Sequence, residues 1–194
     1  MMRWLLFSIF AWAIHSCNAF AWTASTFTGN RVTKKNIHTS CWTMGMQVKI
    51  RIVGRKNGSE KWLEEAYKMY DTRLKPSGVD VETVWHKNDP ELLKGVNADF
   101  EKGHSVVLLD PRGKVRSSEE FSRDVFAWLE EGGSRLVFVV GGAPGLPPEL
   151  KHHPAKPKLL SLSSMTFTHQ FARTILMEQI YRASEIRKGS GYHK

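Results

Sequence analysis

Apolar residues recur along this chain in two rhythms, one of period two and one close to 3.6. Gln47–Val53 (QVKIRIV) alternates polar and apolar positions and stops at Gly54, which predicts a half-buried strand. Trp62, Leu63, Ala66, Tyr67 and Tyr70 then fall at helical spacing, predicting a helix from a Ser59 cap to about Leu74, broken by Pro76-Ser77-Gly78. Val79–Trp85 is predicted as a second strand. Asp89-Pro90 caps and opens the next helix, since proline in the first turn loses no hydrogen bond. Ser105–Leu109 (SVVLL) and Arg135–Val140 (RLVFVV) are unbroken apolar runs, the pattern of central strands covered on both faces. Between them, Ser117 or Ser118 caps a helix carrying Phe121, Val125, Phe126 and Leu129, which ends at Gly132-Gly133. Lys158–Leu162 reads as a shorter strand. A helix from Gln170 to about Arg187, capped by Thr168, closes the body with Phe171, Ile175, Leu176, Ile180 and Ala183 on its packed face. Strands alternating with helices predict one α/β domain over 47–194, built on a mostly parallel sheet.

The segment before that body follows neither rhythm. Residues 1–19 have the form of a signal peptide: Arg3 at the start, an apolar run from Trp4 to Ile14, and the small-x-small site Cys17-Asn18-Ala19. The run is too short to span a bilayer comfortably, so no stable membrane association is expected. Residues 20–46 turn to Ser, Thr, Asn and Lys without acids, as transit peptides do. The pair resembles the two-part presequence of proteins delivered to complex plastids, with a mitochondrial or secreted destination as the alternatives.

This segment also changes what the charge means. The chain's net charge is +9, but residues 1–46 hold four of its 28 bases and none of its 19 acids. The body is therefore only +5, a moderate signal for an acidic partner such as RNA. Both cysteines, Cys17 and Cys41, precede the body, so it contains no disulfide framework and no cysteine-ligated metal. Adjacent side chains such as His152 and His153 rarely aim at one ion, and no metal is expected.

In open α/β sheets ligands sit beyond the carboxyl ends of the strands. Three loops are predicted there: Asp110–Arg116, Gly141–Leu146 and Ser163–Thr168. Gly141-Gly142-x-x-Gly145 follows an apolar strand, where glycines let a backbone approach a ligand or simply close a tight turn. It is not a Walker loop, because no Gly-Lys-Ser/Thr follows. Nor does it match the dinucleotide fingerprint at a first strand, which here offers only Gly54. Leu160 to His169 (LSLSSMTFTH) sets backbone amides and hydroxyls among apolar side chains, a lining suited to an amphipathic ligand with an aromatic ring. In the last helix Arg173, Arg182, Arg187 and Lys188 are left for solvent or phosphate, with Glu178 and Glu185 as ion-pair partners. In the tail, Tyr192 can stack on a base and His193 can move a proton.

Taken in order, Leu108-Leu109-Asp110 with Arg112-Gly113-Lys114, Val140-Gly141-Gly142 with Gly145-Leu146, Leu162 to Gln170, Glu178 to Ala183, and Gly191-Tyr192-His193-Lys194 resemble one family. It is the H-type large-subunit pseudouridine methyltransferases of the SPOUT superfamily, and the resemblance spans the whole body. The family often has Pro where Thr168 stands here. The resemblance implies a carboxyl-terminal trefoil knot, an exception to the rule that chains avoid threading. It implies S-adenosylmethionine as donor, a homodimer, and N3 of a pseudouridine in large-subunit rRNA of an assembled ribosome as acceptor. Leu109, Gly141, Gly142 and the run Leu162, Ser163, Ser164, Met165, Thr166 and Phe167 would line the donor pocket. His193 would act as base, with Tyr192 and Arg182 orienting or stabilising charge, at the chain's own pocket or a neighbouring subunit's. The other readings are a SPOUT enzyme acting on another RNA such as tRNA, and a ribosome assembly factor without catalysis.

Overall fold

The computed structural model describes residues 45–56 and 60–194. The signal peptide, all but Gly45 and Met46 of the transit-like segment, and the Ser59 cap lie outside the described residues.

Five strands, β1 (Met46–Val53), β2 (Val79–His86), β3 (Ser105–Val115), β4 (Arg135–Val140) and β5 (Lys158–Ser161), form one sheet in the order β2-β1-β4-β3-β5. Every neighbouring pair is parallel, so each connection crosses over through a covering segment. The helices are α1 (Lys61–Leu74), α2 (Asp89–Glu101), α3 (Ser118–Glu131), α4 (Pro148–Lys151) and α5 (His169–Lys188). On β4, Leu136, Phe138 and Val140 join the core under α1, α3 and α5, while Val137 and Val139 join the one under α2 and α4. That is why the run has no polar break: successive side chains enter opposite cores.

Local chemistry sets the helix starts. Ser117 and Glu120 form a reciprocal capping box on α3, and Thr168 Oγ1 accepts from the Phe171 N–H on α5. For α2 the cap is Asn88, one residue before the expected Asp89. Its side chain accepts the Glu91 N–H at 3.0 Å and puts Asp89 inside the helix.

Tertiary packing corrects three further expectations. The loop expected at Asp110–Arg116 is largely a continuation of β3. After an irregularity between Leu109 and Lys114, Lys114 and Val115 pair with Leu160 and Ser161 of β5. A Cβ on Gly113 would lie 2.6 Å from the Leu160 carbonyl carbon, so this crossing needs a residue without a side chain. Trp62, expected on the packed face of α1, is 58% exposed and tilts against Phe171, itself at the margin of its helix's packed face.

The third correction is Arg173, which is buried rather than free for phosphate. Its Nη2 meets Glu64 Oε2 at 2.7 Å, and its guanidinium lies over the Tyr67 and Trp85 rings. Burial opposes the charge on Glu64, but hydrogen bonds from Arg173 and Lys56 outweigh it and hold its pKa below the usual value. Lowering the folded-state pKa makes the pair's stabilisation complete above the unfolded carboxylate pKa and lost as pH falls through the folded value. Arg173→Met is expected to destabilise by on the order of 3 kcal/mol at neutral pH. It should also flatten the acid-side fall in Tm, measured by thermal melts below pH 5. An unchanged acid limb would mean that Glu64 is not held by this pair.

Candidate functional site

A cleft of about 700 Å³ opens at the carboxyl ends of β3, β4 and β5, within the range of roughly 300–1,000 Å³ typical of small-molecule sites. Leu109 and Asp110 come from β3, Gly141–Leu146 follow β4, and Leu162, Ser163 and Met165–Thr168 lead into α5, whose His169 and Ala172 complete the wall. Of the expected donor-pocket residues, Leu109, Gly141, Gly142, Leu162, Ser163, Met165, Thr166 and Phe167 line it. Ser164 is not among its lining residues. Ser163 Oγ accepts the Met165 N–H at 3.0 Å, a tight turn that leaves Ser164 exposed at its outer corner.

The glycine loop is shaped by its own closure. Gly145 has φ +93° and donates its N–H to the Gly142 carbonyl at 3.0 Å. A Cβ on Gly141 would fall inside contact distance of the Gly145 backbone and 2.7 Å from the Leu146 nitrogen. The tight-turn reading of these glycines therefore holds, and the turn forms one wall of the cleft. Gly54 matters from a distance: a Cβ there would stand 3.0 Å from His169 Nε2, so the glycine makes room for the imidazole at the cleft.

Sequence reasoning missed the charged side of the cleft. Asp110 is only 6% exposed, and its carboxylate accepts from Lys151 Nζ at 2.6 Å, the Arg112 N–H at 2.9 Å and Arg112 Nε at 3.4 Å. Burial works against its ionisation, but the Lys151 and Arg112 hydrogen bonds prevail and keep its pKa below the ordinary range. Lys151 sits on the four-residue α4, too short to leave a periodic signal. The sequence marks Asp110-Pro111-Arg112 as a site loop but does not reveal Lys151 as the partner of Asp110.

The expected catalytic group assembles elsewhere on the chain. Glu178 Oε1 accepts from Arg182 Nη2 at 2.6 Å, Arg182 Nε at 3.1 Å and the Tyr192 hydroxyl at 3.1 Å. Tyr192 packs edge-on against Tyr181, 4.9 Å between centroids. Burial first, then Tyr70 and the charge on Glu178, push the Tyr192 hydroxyl up to about 12, so it keeps its proton. His193 Nε2 lies 2.7 Å from Glu119 Oε1 and its Nδ1 3.4 Å from Arg182 Nη1. An ionised carboxylate only accepts, so Nε2 carries the hydrogen and the Nδ1 lone pair of neutral His193 faces Arg182. The His193 hydrogen bond, joined by that of Ser117, draws the Glu119 carboxyl down to about 2. The tail is thus tied to α5 and to the start of α3, and none of Arg182, Tyr192 and His193 lines the cleft.

The other candidates take structural places. Lys188 pairs with Glu185, Arg182 with Glu178, and Arg187 lies over the Phe126 ring. His153 stacks on Phe100 at 4.3 Å between centroids. Among the described residues no group of three or more His, Cys, Asp or Glu is placed to hold a metal ion.

A parallel sheet of this order, with a glycine-walled cleft at its carboxyl edge, defines a class that family comparison identifies. Residues 46–193 match the family described as predicted SPOUT methyltransferase, and the chain belongs to that family. Ribosomal RNA large subunit methyltransferase H of Protochlamydia amoebophila (strain UWE25) is 46% identical over 147 residues, covering 76% of this chain and 99% of its own. The protein of the same name from Halothermothrix orenii (strain H 168 / OCM 544 / DSM 9562) is 40% identical over 126 residues, 64% of this chain and 76% of its own.

Proposed function

We propose that this protein transfers a methyl group from S-adenosylmethionine to N3 of a pseudouridine in large-subunit rRNA of an organellar ribosome, in the plastid. It acts as a homodimer on the assembled ribosome. The observation that carries the reading is the cleft. Its leucines, valine and backbone amides suit an adenine ring, its charged side suits an amino-acid end, and its volume fits the whole molecule. Leu109, Gly141, Gly142, Leu162, Ser163 and the residues from Met165 to Phe167 hold the donor. When bound, S-adenosylmethionine supplies an electrophilic methyl carbon on a sulfonium. The names of the relatives support rRNA as the acceptor.

The tail's place on α5 supports the dimer. Ala172 lines the cleft, and ten residues along the same helix to Arg182 is about 15 Å at 1.5 Å per residue. A tail so far along the helix serves the cleft of a second copy more readily than its own. The acceptor N3 carries a proton and is a poor nucleophile until that proton leaves. His193 takes it at Nδ1 once the 3.4 Å contact with Arg182 opens, while Glu119 holds the ring by Nε2. Arg182, held by Glu178 through Nε and Nη2, then turns Nη1 to the negative charge left on the base, and Tyr192, which stays protonated, orients it. Threading of the carboxyl-terminal segment into a trefoil knot belongs to the same proposal, supported by the close passage of Gly113 against β5.

Nucleoside mass spectrometry of organellar rRNA and tRNA from cells lacking the protein tests this directly. One methylpseudouridine is expected to disappear from large-subunit rRNA, with tRNA unaffected. An unchanged rRNA profile would defeat the proposal, and a loss confined to tRNA would move the activity to another RNA.

A further inference from the structure

Apart from His169, every ionisable side chain that lines the cleft belongs to one cluster: Asp110, Arg112 and Lys151. The cluster pairs a buried carboxylate with a lysine and an arginine. Among the described residues one contact, the 2.6 Å bond to Asp110, engages the Lys151 ammonium, which has three N–H groups to offer. Asp110 Oδ2 takes that bond, and Oδ1 takes those from Arg112. An ionised carboxylate has about four acceptor sites, so capacity remains beside Lys151. The Arg112 side chain, 78% exposed, stands at the rim. Apart from His169, the rest of the wall is uncharged, with the apolar side chains Leu109, Val140, Leu146, Leu160 and Leu162 and the hydroxyl residues Ser161, Ser163, Thr166 and Thr168.

We propose that Asp110 and Lys151, with Arg112 at the rim, recognise the amino-acid end of the methyl donor. Lys151 and Arg112 take its α-carboxylate, and Asp110 takes its α-ammonium. The proposal rests on the reading of the cleft as an S-adenosylmethionine site, and it orients the ligand there. A flat neutral purine gains most from the leucine and glycine walls, whereas a zwitterion leaves water at least cost where both of its charges meet opposite charges. The adenine therefore lies against the loops after β4 and β5, and the sulfonium lies between the purine and the charged cluster. It follows that a ligand with the same adenosine and sulfur but no amino-acid end should not feel this cluster.

Calorimetry on the full chain with two probes tests this, S-adenosylhomocysteine and 5′-methylthioadenosine, the second lacking the amino-acid end. Lys151→Met is expected to weaken S-adenosylhomocysteine about tenfold or more, the loss of one charge-assisted contact. It should leave methylthioadenosine binding as in the wild type, which also reports an intact cleft. Lys151→Arg should recover most of the lost affinity. Equal weakening of both probes, or of neither, would overturn the proposal by making the pair merely structural or remote from the ligand. If the wild type binds neither probe, the donor reading itself fails, and this proposal with it. Should Lys151→Met not fold, Arg112→Gln replaces a solvent-facing side chain and should weaken S-adenosylhomocysteine alone. Unchanged affinity for that probe would then count against the cluster.

Discussion

His193→Ala is expected to lower single-turnover methylation of ribosomes by about 10²–10⁴-fold, the range for removing a general base. In the proposed reaction the acceptor nitrogen must lose its proton before it can attack, and an imidazole is the tail group able to take one. Tyr192 is excluded as the acceptor because its hydroxyl is pushed up to about 12 and donates to Glu178. Binding of S-adenosylhomocysteine should survive the substitution, since His193 is proposed to act on the acceptor and does not line its own chain's cleft. A variant that methylates at the full rate would remove His193 from the mechanism. A variant that instead loses donor affinity would make the tail part of the binding site.

Gly141→Ala should cost the cleft its shape. The added carbon would overlap the Gly145 backbone and lie 2.7 Å from the Leu146 nitrogen, and backbone cannot swing aside as a side chain can. The loop must open, carrying the wall from Gly141 to Leu146 with it, at a cost on the order of 3 kcal/mol. Affinity for S-adenosylhomocysteine should fall at least about tenfold, read by calorimetry, together with a lower Tm. Gly142→Ala is the internal comparison. Its Cβ would sit 3.2 Å from a Val53 methyl, which can shift by a few tenths of an ångström, so its cost should be about 1 kcal/mol. Equal behaviour of the two variants would show that closure of the loop on itself does not shape the site.

These two sites differ in how far the sequence disclosed them. The runs Val106–Leu109 and Leu136–Val140 were legible as central strands because burial on both faces leaves no polar position to obscure them. The cap at Thr168 was legible, and that of α3 narrowed to Ser117 or Ser118, because a cap is satisfied within three residues of itself. Asn88 in place of Asp89 marks the limit of that logic. Both residues can cap, and local composition does not say which one stays outside the helix. The extension of β3 to Val115 left no hydrophobic trace, since Lys114 and Val115 join β5 through the backbone while their side chains face solvent.

The sequence by itself determined the alternation of strands and helices and the glycine and serine-rich loops at the carboxyl edge. Each rests on interactions between near neighbours or on the one-dimensional rhythm of burial, both written directly in residue order. Only the tertiary structure decided which charges are spent and which are free. Arg173 is neutralised by Glu64, 109 positions away, and stacked on Tyr67 and Trp85, while the equally basic Arg112 lies mostly in solvent with its Nε 3.4 Å from Asp110. It likewise joined Asp110 to Lys151 at the cleft and tied His193 to Glu119 rather than to the cleft loops of its own chain. Charge pairing depends on distance in space, and no periodicity along the chain encodes a distance between segments folded together from far apart.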